Sequence, residues 1–210
     1  MSQIEYEQLV KEILSCTKCP LHKYRRKPVP GEGRLDAEIM IVGEAPGEKE
    51  DEQGRPFVGP AGQLLTKILN SLGVSREQVY ITNVVKCRPP ENRDPTPEEI
   101  KSCLPYLIRQ ILIIRPKVII CLGRHSAREI LKLCGLRESE VSQISKIRGK
   151  IFNVKFMGEH DVTIVPTYHP AAALYNPKLR TYIAEDIKKA IEIAQGKYKI
   201  ERSSILDYLS

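Results

Sequence analysis

The sequence predicts an α/β protein, a three-layer α/β/α arrangement around a central, mostly parallel, four-stranded sheet. Three observations carry this. Short apolar runs of strand length alternate with longer segments of helical spacing, as in sheets whose strands are joined by helical crossovers. The runs are continuously apolar, as strands covered on both faces are. The 210 residues suffice for one domain with a core of its own.

The elements follow in order. Ile4, Leu9, Val10, Ile13 and Leu14 have the spacing of a helix that leads into a pair of cysteines. AEIMIVG at 37–43 is a buried strand ending in glycine. GPAGQLLTKILNSLG at 59–73 is a helix with Pro60 in its first turn and Gly73 as its stop. VYITNVV at 79–85 is strand-like. Thr96-Pro97-Glu98-Glu99 opens a helix that should run to about Ile114: Thr96 caps it, Pro97 suits its first position and Glu99 completes a capping box. Pro105 predicts a kink in it. KVIICLG at 117–123 is another strand, followed by a helix from about Ser126. KIFNV and DVTIVPT read as further strands, and 178–195 as an amphipathic closing helix. Residues 1–196 are therefore expected to form a single domain, with 197–210 as a tail after Gly196.

Lys plus Arg is 33 and Asp plus Glu is 26, a formal net charge of +7. A basic domain suits a polyanionic partner, although a well-solvated surface has the same composition. Plentiful Lys, Arg, Glu and Ile without Trp hint at a thermophilic source. The amphipathic, acid-bearing N-terminus is unlike a secretory signal. No apolar run approaches the roughly 18 residues of a membrane span. The expectation is a cytoplasmic monomer with reduced thiols and no membrane partner.

Six cysteines in that setting point to metal or to ordinary core packing. Cys16 and Cys19 are a C-x2-C pair, while Cys87 and Cys103 stand apart from each other. Two close pairs, the usual mark of a structural zinc site, are not present. Spacing alone leaves zinc and an iron–sulfur cubane equally open. Cys121, inside VIICLG, and Cys134, at a helix end, read as packing residues. The flank KYRRK at 23–27 sets basic residues beside the pair, a ridge for phosphates or merely a solvated loop.

In parallel sheets ligands bind outside the carboxyl ends of the strands. The residues there are GEAPG, Asn83, GRHS and TYHPAAAL. Three stretches, GEAPGEKED with GRPFVGPAGQLL, TNVVKCRPPENRDPTPEEIKSC, and PTYHPAAAL, together resemble the uracil-DNA glycosylase superfamily, and specifically its family 4 enzymes. The likeness runs from Cys16 to about Leu174. It implies a DNA repair enzyme that flips uracil out of single- or double-stranded DNA and hydrolyses its N-glycosidic bond without cutting the strand. It also implies a [4Fe–4S] cluster on Cys16, Cys19, Cys87 and Cys103.

The resemblance assigns roles residue by residue. Phe57 is the platform on which the base stacks, expected at an exposed loop position. Asn83 reads the base edge, because its amide can donate to uracil O4 and accept from N3–H. His169 stabilises the departing anion at O2, and removing one such donor typically costs on the order of 10²–10³ in rate. Gly43, Glu44 and Ala45 form the loop whose backbone N–H groups meet the base. Ala45 stands where a better-known branch has aspartate, so Glu50 or Glu44 must orient water or stabilise the sugar cation, Glu50 being preferred. Glu48 and Asp51 read as solvated acids. Gly47 stands where that branch has a tyrosine against thymine, which leaves thymine exclusion unassigned. Leu174 is the candidate wedge for the gap left by the flipped base. Residues 202–209 resemble a degenerate sliding-clamp peptide whose leading Gln is replaced by Arg202; a packed terminal helix is the plainer reading. The competing reading of the whole chain is a non-catalytic nucleic-acid-binding protein with a structural metal site.

Overall fold

The computed structural model describes residues 2–141 and 143–198. The tail expected to resemble a clamp peptide lies outside the described residues. Among the described residues one sheet carries strands β1 (Glu32–Gly33), β2 (Ile39–Gly43), β3 (Tyr80–Asn83), β4 (Val118–Leu122), β5 (Phe152–Phe156) and β6 (His160–Thr167), in the order β1-β3-β2-β4-β6-β5. The inner four, β3, β2, β4 and β6, are mutually parallel. The expectation of four strands is therefore corrected to six, because an antiparallel strand flanks each edge of the parallel set. The edge strand β1 is only two residues long and has no apolar pattern to betray it. Gly33 there has φ +131°, and a Cβ on it would lie 1.9 Å from Val79 O, so only glycine permits the close pairing.

The α-helices among the described residues are α1 (Ser2–Leu14), α2 (Glu48–Gln53), α3 (Pro60–Ser71), α4 (Pro97–Ile114), α5 (Arg124–Leu133), α6 (Glu138–Val141), α7 (Ile144–Ile147), α8 (Ala172–Tyr175) and α9 (Leu179–Ala194). Alternate residues of β4 divide the core. Ile119 and Cys121 face Leu9, Ile13, Leu107, Ile111 and Ile130 from α1, α4 and α5. Val118, Ile120 and Leu122 face Leu65, Leu69, Ile183 and Ile187 from α3 and α9. This two-sided burial is why the strands read as unbroken apolar runs. Cys121 is fully buried, as its place in VIICLG implies.

The helix over 97–114 starts as expected. The Glu99 N–H donates to Thr96 Oγ1 at 3.3 Å and the Thr96 N–H to Glu99 Oε2 at 2.8 Å. It continues through Pro105 as one element and stops at Arg115, which adopts φ 51° immediately before Pro116. Among the described residues no helix is long and apolar enough to cross a membrane.

Candidate functional site

The parallel register brings the carboxyl ends of the inner strands together. Gly43 at the end of β2 pairs with Asn83 at the end of β3. Two residues beyond β6 lies His169, beside Gly123, whose N–H donates to Thr167 O at 2.9 Å. A Cβ on Gly43 would fall 2.4 Å from Asn83 Oδ1 and 2.5 Å from Phe57 Cζ. The Phe57 and His169 rings are 5.7 Å apart, tilted by 32°. Gly43, Phe57, Asn83 and His169, distant in sequence, are thus gathered at the carboxyl ends of β2, β3 and β6, where a side chain at position 43 would collide with Asn83 and Phe57.

Phe57 is 5% exposed, not at an open loop position, and has φ 51°. Its segment is held from two sides. Arg76 donates to Phe57 O at 2.7 Å, to Pro56 O and to Glu32 Oε1. Glu50 Oε1 accepts the Val58 and Gly59 N–H groups, both at 2.8 Å. One oxygen of Glu50 is therefore committed to the loop. Arg76 carried no motif, so sequence reasoning passed over it.

Asn83 is buried, and its Oδ1 has no hydrogen-bond partner among the described residues. His169 Nδ1 accepts the Ala171 N–H at 3.1 Å. That bond leaves the ring proton on Nε2. Burial pushes the His169 pKa down to about 4, against the charge of Glu50, so the ring is neutral near pH 7.

Glu44 follows Gly43 and is partly buried. Burial, and then the charge of Asp94, push its pKa up to about 7, while Arg124 and Arg128 oppose the shift. His125 Nε2 lies 3.0 Å from Asp94 Oδ2 and 4.0 Å from Glu44 Oε2, and Arg124 reaches the same nitrogen at 3.0 Å. Ala45 is half-buried beside them. Asp51, expected to be solvated, is 2% exposed: its carboxylate accepts the Arg26 N–H at 2.9 and 3.1 Å and pins the basic segment to α2. Glu48 is exposed, as expected. Leu174 lies on α8 and is 40% exposed, while its neighbour Tyr175, not singled out from sequence, is 89% exposed.

A second pocket lies on the α1 and α4 side of the sheet. Cys16, Cys19, Cys87 and Cys103 line it together with His22, Arg25, Lys86 and Tyr106. All six cysteines are free of disulfides. The Lys86 N–H donates to Cys103 Sγ at 3.2 Å and Arg25 to Cys87 Sγ at 3.1 Å. As bare thiols these groups resist ionisation: burial pushes Cys103 up to about 12, and raises Cys87 and Cys19 as well.

A doubly covered parallel sheet with an amide and an imidazole at its carboxyl edge defines the class, and the family comparison agrees: the chain belongs to the uracil DNA glycosylase superfamily, whose model matches residues 30–191. Within that class it resembles the type-4 branch. It is 56% identical over 189 residues to the type-4 uracil-DNA glycosylase of Sulfurisphaera tokodaii, spanning 90% of this chain and 84% of that protein. It is 51% identical over 203 residues to the type-4 enzyme of Archaeoglobus fulgidus, spanning 97% and 98%. A type-5 uracil-DNA glycosylase of Pyrobaculum aerophilum is 30% identical over 218 residues, spanning 88% and 92%.

Proposed function

We propose that this chain excises uracil from DNA, hydrolysing the bond between uracil N1 and deoxyribose C1′ and leaving an intact abasic strand. Its likeness to type-4 uracil-DNA glycosylases supports the activity. The observation that carries the site is the buried Asn83 Oδ1 without a partner. Such an orphan costs about 1–3 kcal/mol, and a bound uracil N3–H relieves it. The same amide donates through Nδ2 to uracil O4. Cytosine presents the opposite polarity at both positions and leaves the acceptor unpaired.

A duplex hides the bond, so the nucleotide first swings out of the stack. It enters the hollow we assign to Gly43, Asn83 and His169, walled by Phe57, which Arg76 and Glu50 hold from behind. As the bond to C1′ stretches, negative charge builds on the base and positive charge on the sugar. The Nε2–H of neutral His169 donates to O2 and gains strength as that charge grows. Backbone N–H groups of the 43–45 loop add to it. Glu44, with a pKa lifted to about 7, is suited to orient the attacking water. Glu50 lies close enough to His169 to act on it electrostatically, and steadies the sugar cation while it clasps the Phe57 loop. Leu174 and Tyr175 stand exposed on α8 just beyond His169, positioned to enter the gap left in the duplex.

The four cysteines fit a [4Fe–4S] cluster better than a single zinc. A four-coordinate zinc with bonds near 2.3 Å needs its sulfurs about 3.8 Å apart. Among the described residues, no three of these sulfurs lie within 4.8 Å of one another. When bound, the cluster supplies a cross-link between the segment after α1 and the β3–α4 segment. Arg25 and the Lys86 N–H provide donors for its sulfurs.

The test is incubation with single- and double-stranded oligonucleotides carrying one uracil, then heating in alkali. Breaks at uracil alone support the reading. Binding without breaks would instead favour a non-catalytic nucleic-acid-binding protein.

A further inference from the structure

Lys86 is 1% exposed, and among the described residues it forms no ion pair. Its ammonium donates to three neutral oxygens: Thr82 Oγ1 at 2.7 Å, Asn83 O at 2.6 Å and Gln110 Oε1 at 2.7 Å. Three acceptors use all three N–H bonds of the ammonium. Gln110 is itself oriented, because its Nε2 donates to Pro30 O at 2.7 Å and to Tyr80 Oη at 2.9 Å, turning its oxygen to the lysine. A buried lysine is costly: burial pulls the Lys86 pKa down to about 7, while Cys103 and Cys87 of the neighbouring pocket favour its charge, as do the three acceptors that engage all its N–H bonds.

What the charge reaches is informative. The Asn83 carbonyl belongs to the peptide that carries the Val84 N–H. That N–H donates to Gly43 O at 2.9 Å. The Gly43 carbonyl in turn belongs to the peptide that carries the Glu44 N–H, in the loop that meets the base. A hydrogen-bonded chain thus runs from the ammonium through two peptide groups to one backbone donor of the hollow. Each bond in such a chain polarises the next.

We propose that Lys86 is a positioning residue for uracil excision: it anchors the peptide behind Asn83 and, through the Asn83–Val84 and Gly43–Glu44 peptides, strengthens the N–H donor that meets the departing base. The proposal rests on the reading of this hollow as a uracil site. It places Lys86 outside contact with substrate, so its effect is on the stability of the leaving anion and not on capture of DNA.

The test compares single-turnover excision of uracil and of 5-fluorouracil from single-stranded oligonucleotides by the metal-loaded protein and by Lys86→Met. 5-Fluorouracil leaves as the more stable anion and depends less on donors. Lys86→Met should slow uracil release about tenfold or more, less than outright loss of a donor, with 5-fluorouracil slowed clearly less and substrate affinity unchanged. Iron content and thermal midpoint report whether the variant is folded and loaded. Should it fail to fold, Lys86→Gln, which keeps N–H donors without the charge, is read by the same ratio. A loaded variant that keeps both rates, or loses both by one factor, overturns the proposal. If the unaltered protein releases neither base, the uracil reading itself fails, which is a separate result.

Discussion

The hollow and the cysteine pocket lie at opposite ends of one short segment, Asn83 to Cys87, yet they are built on different terms. The proposed base site is made at strand ends whose register is fixed by the parallel ladder. The pocket gathers the ends of segments that no ladder joins: the turn after α1, the stretch after β3, and the first half of α4. Strand ends hold chemistry by geometry, whereas the proposed cluster would tie together segments that the ladder leaves separate. Damage in the first should therefore cost rate, and damage in the second should cost stability.

The largest expected effect sharpens that contrast. His169→Ala should lower single-turnover excision by about 10²–10³, while its thermal midpoint stays within about 3 °C of the parent. Cys103→Ser should do the reverse in order: visible absorption and iron are lost, the midpoint falls by on the order of 10 °C, and activity fails as a consequence. Equal midpoints for the two variants would erase the distinction.

A smaller effect is expected in the pH profile. Burial pushes the Glu44 pKa up to about 7, and in the proposed role Glu44 acts as the carboxylate, so excision should rise with pH through 7 and fall below it. Because His169 stays neutral down to about 4, it adds no limb above that. Glu44→Gln should flatten the rise. The stability sign is opposite: the folded pKa is raised above the ordinary carboxylate value, so the folded state binds the proton more tightly, and Glu44's contribution falls as pH climbs from about 4.5 to 7. Thermal midpoints of the parent and Glu44→Gln across that window check it.

Much of this was legible in the residues, for physical reasons. The inner strands announced themselves because burial on both faces leaves no polar alternation, and the capping box at Thr96–Glu99 is local chemistry that needs no partner. The edge strand β1 was not legible, since two residues flanked by glycine carry no period. Phe57 was taken for an exposed residue because glycines surround it; its segment is held down by Glu50, one short helix earlier, and by Arg76, beyond the following helix, bonds that no local pattern announces. Asp51 sits in an acidic run that reads as solvent-facing, and only the Arg26 N–H explains its burial. Lys86 is one lysine among many until the fold sets Gln110 and Thr82 around it. The residues that could contact a base were legible through their motifs. The groups that hold and charge them were not, because those act through tertiary contacts.

The most direct test of the central claim is a crystal structure of the protein with uracil and an oligonucleotide carrying an abasic site. The account predicts uracil in the hollow, with N3 within hydrogen-bond distance of Asn83 Oδ1 and O2 facing His169 Nε2, while His169 Nδ1 still accepts the Ala171 N–H. A base seated elsewhere, or an Asn83 amide turned so that its nitrogen meets N3, would contradict it.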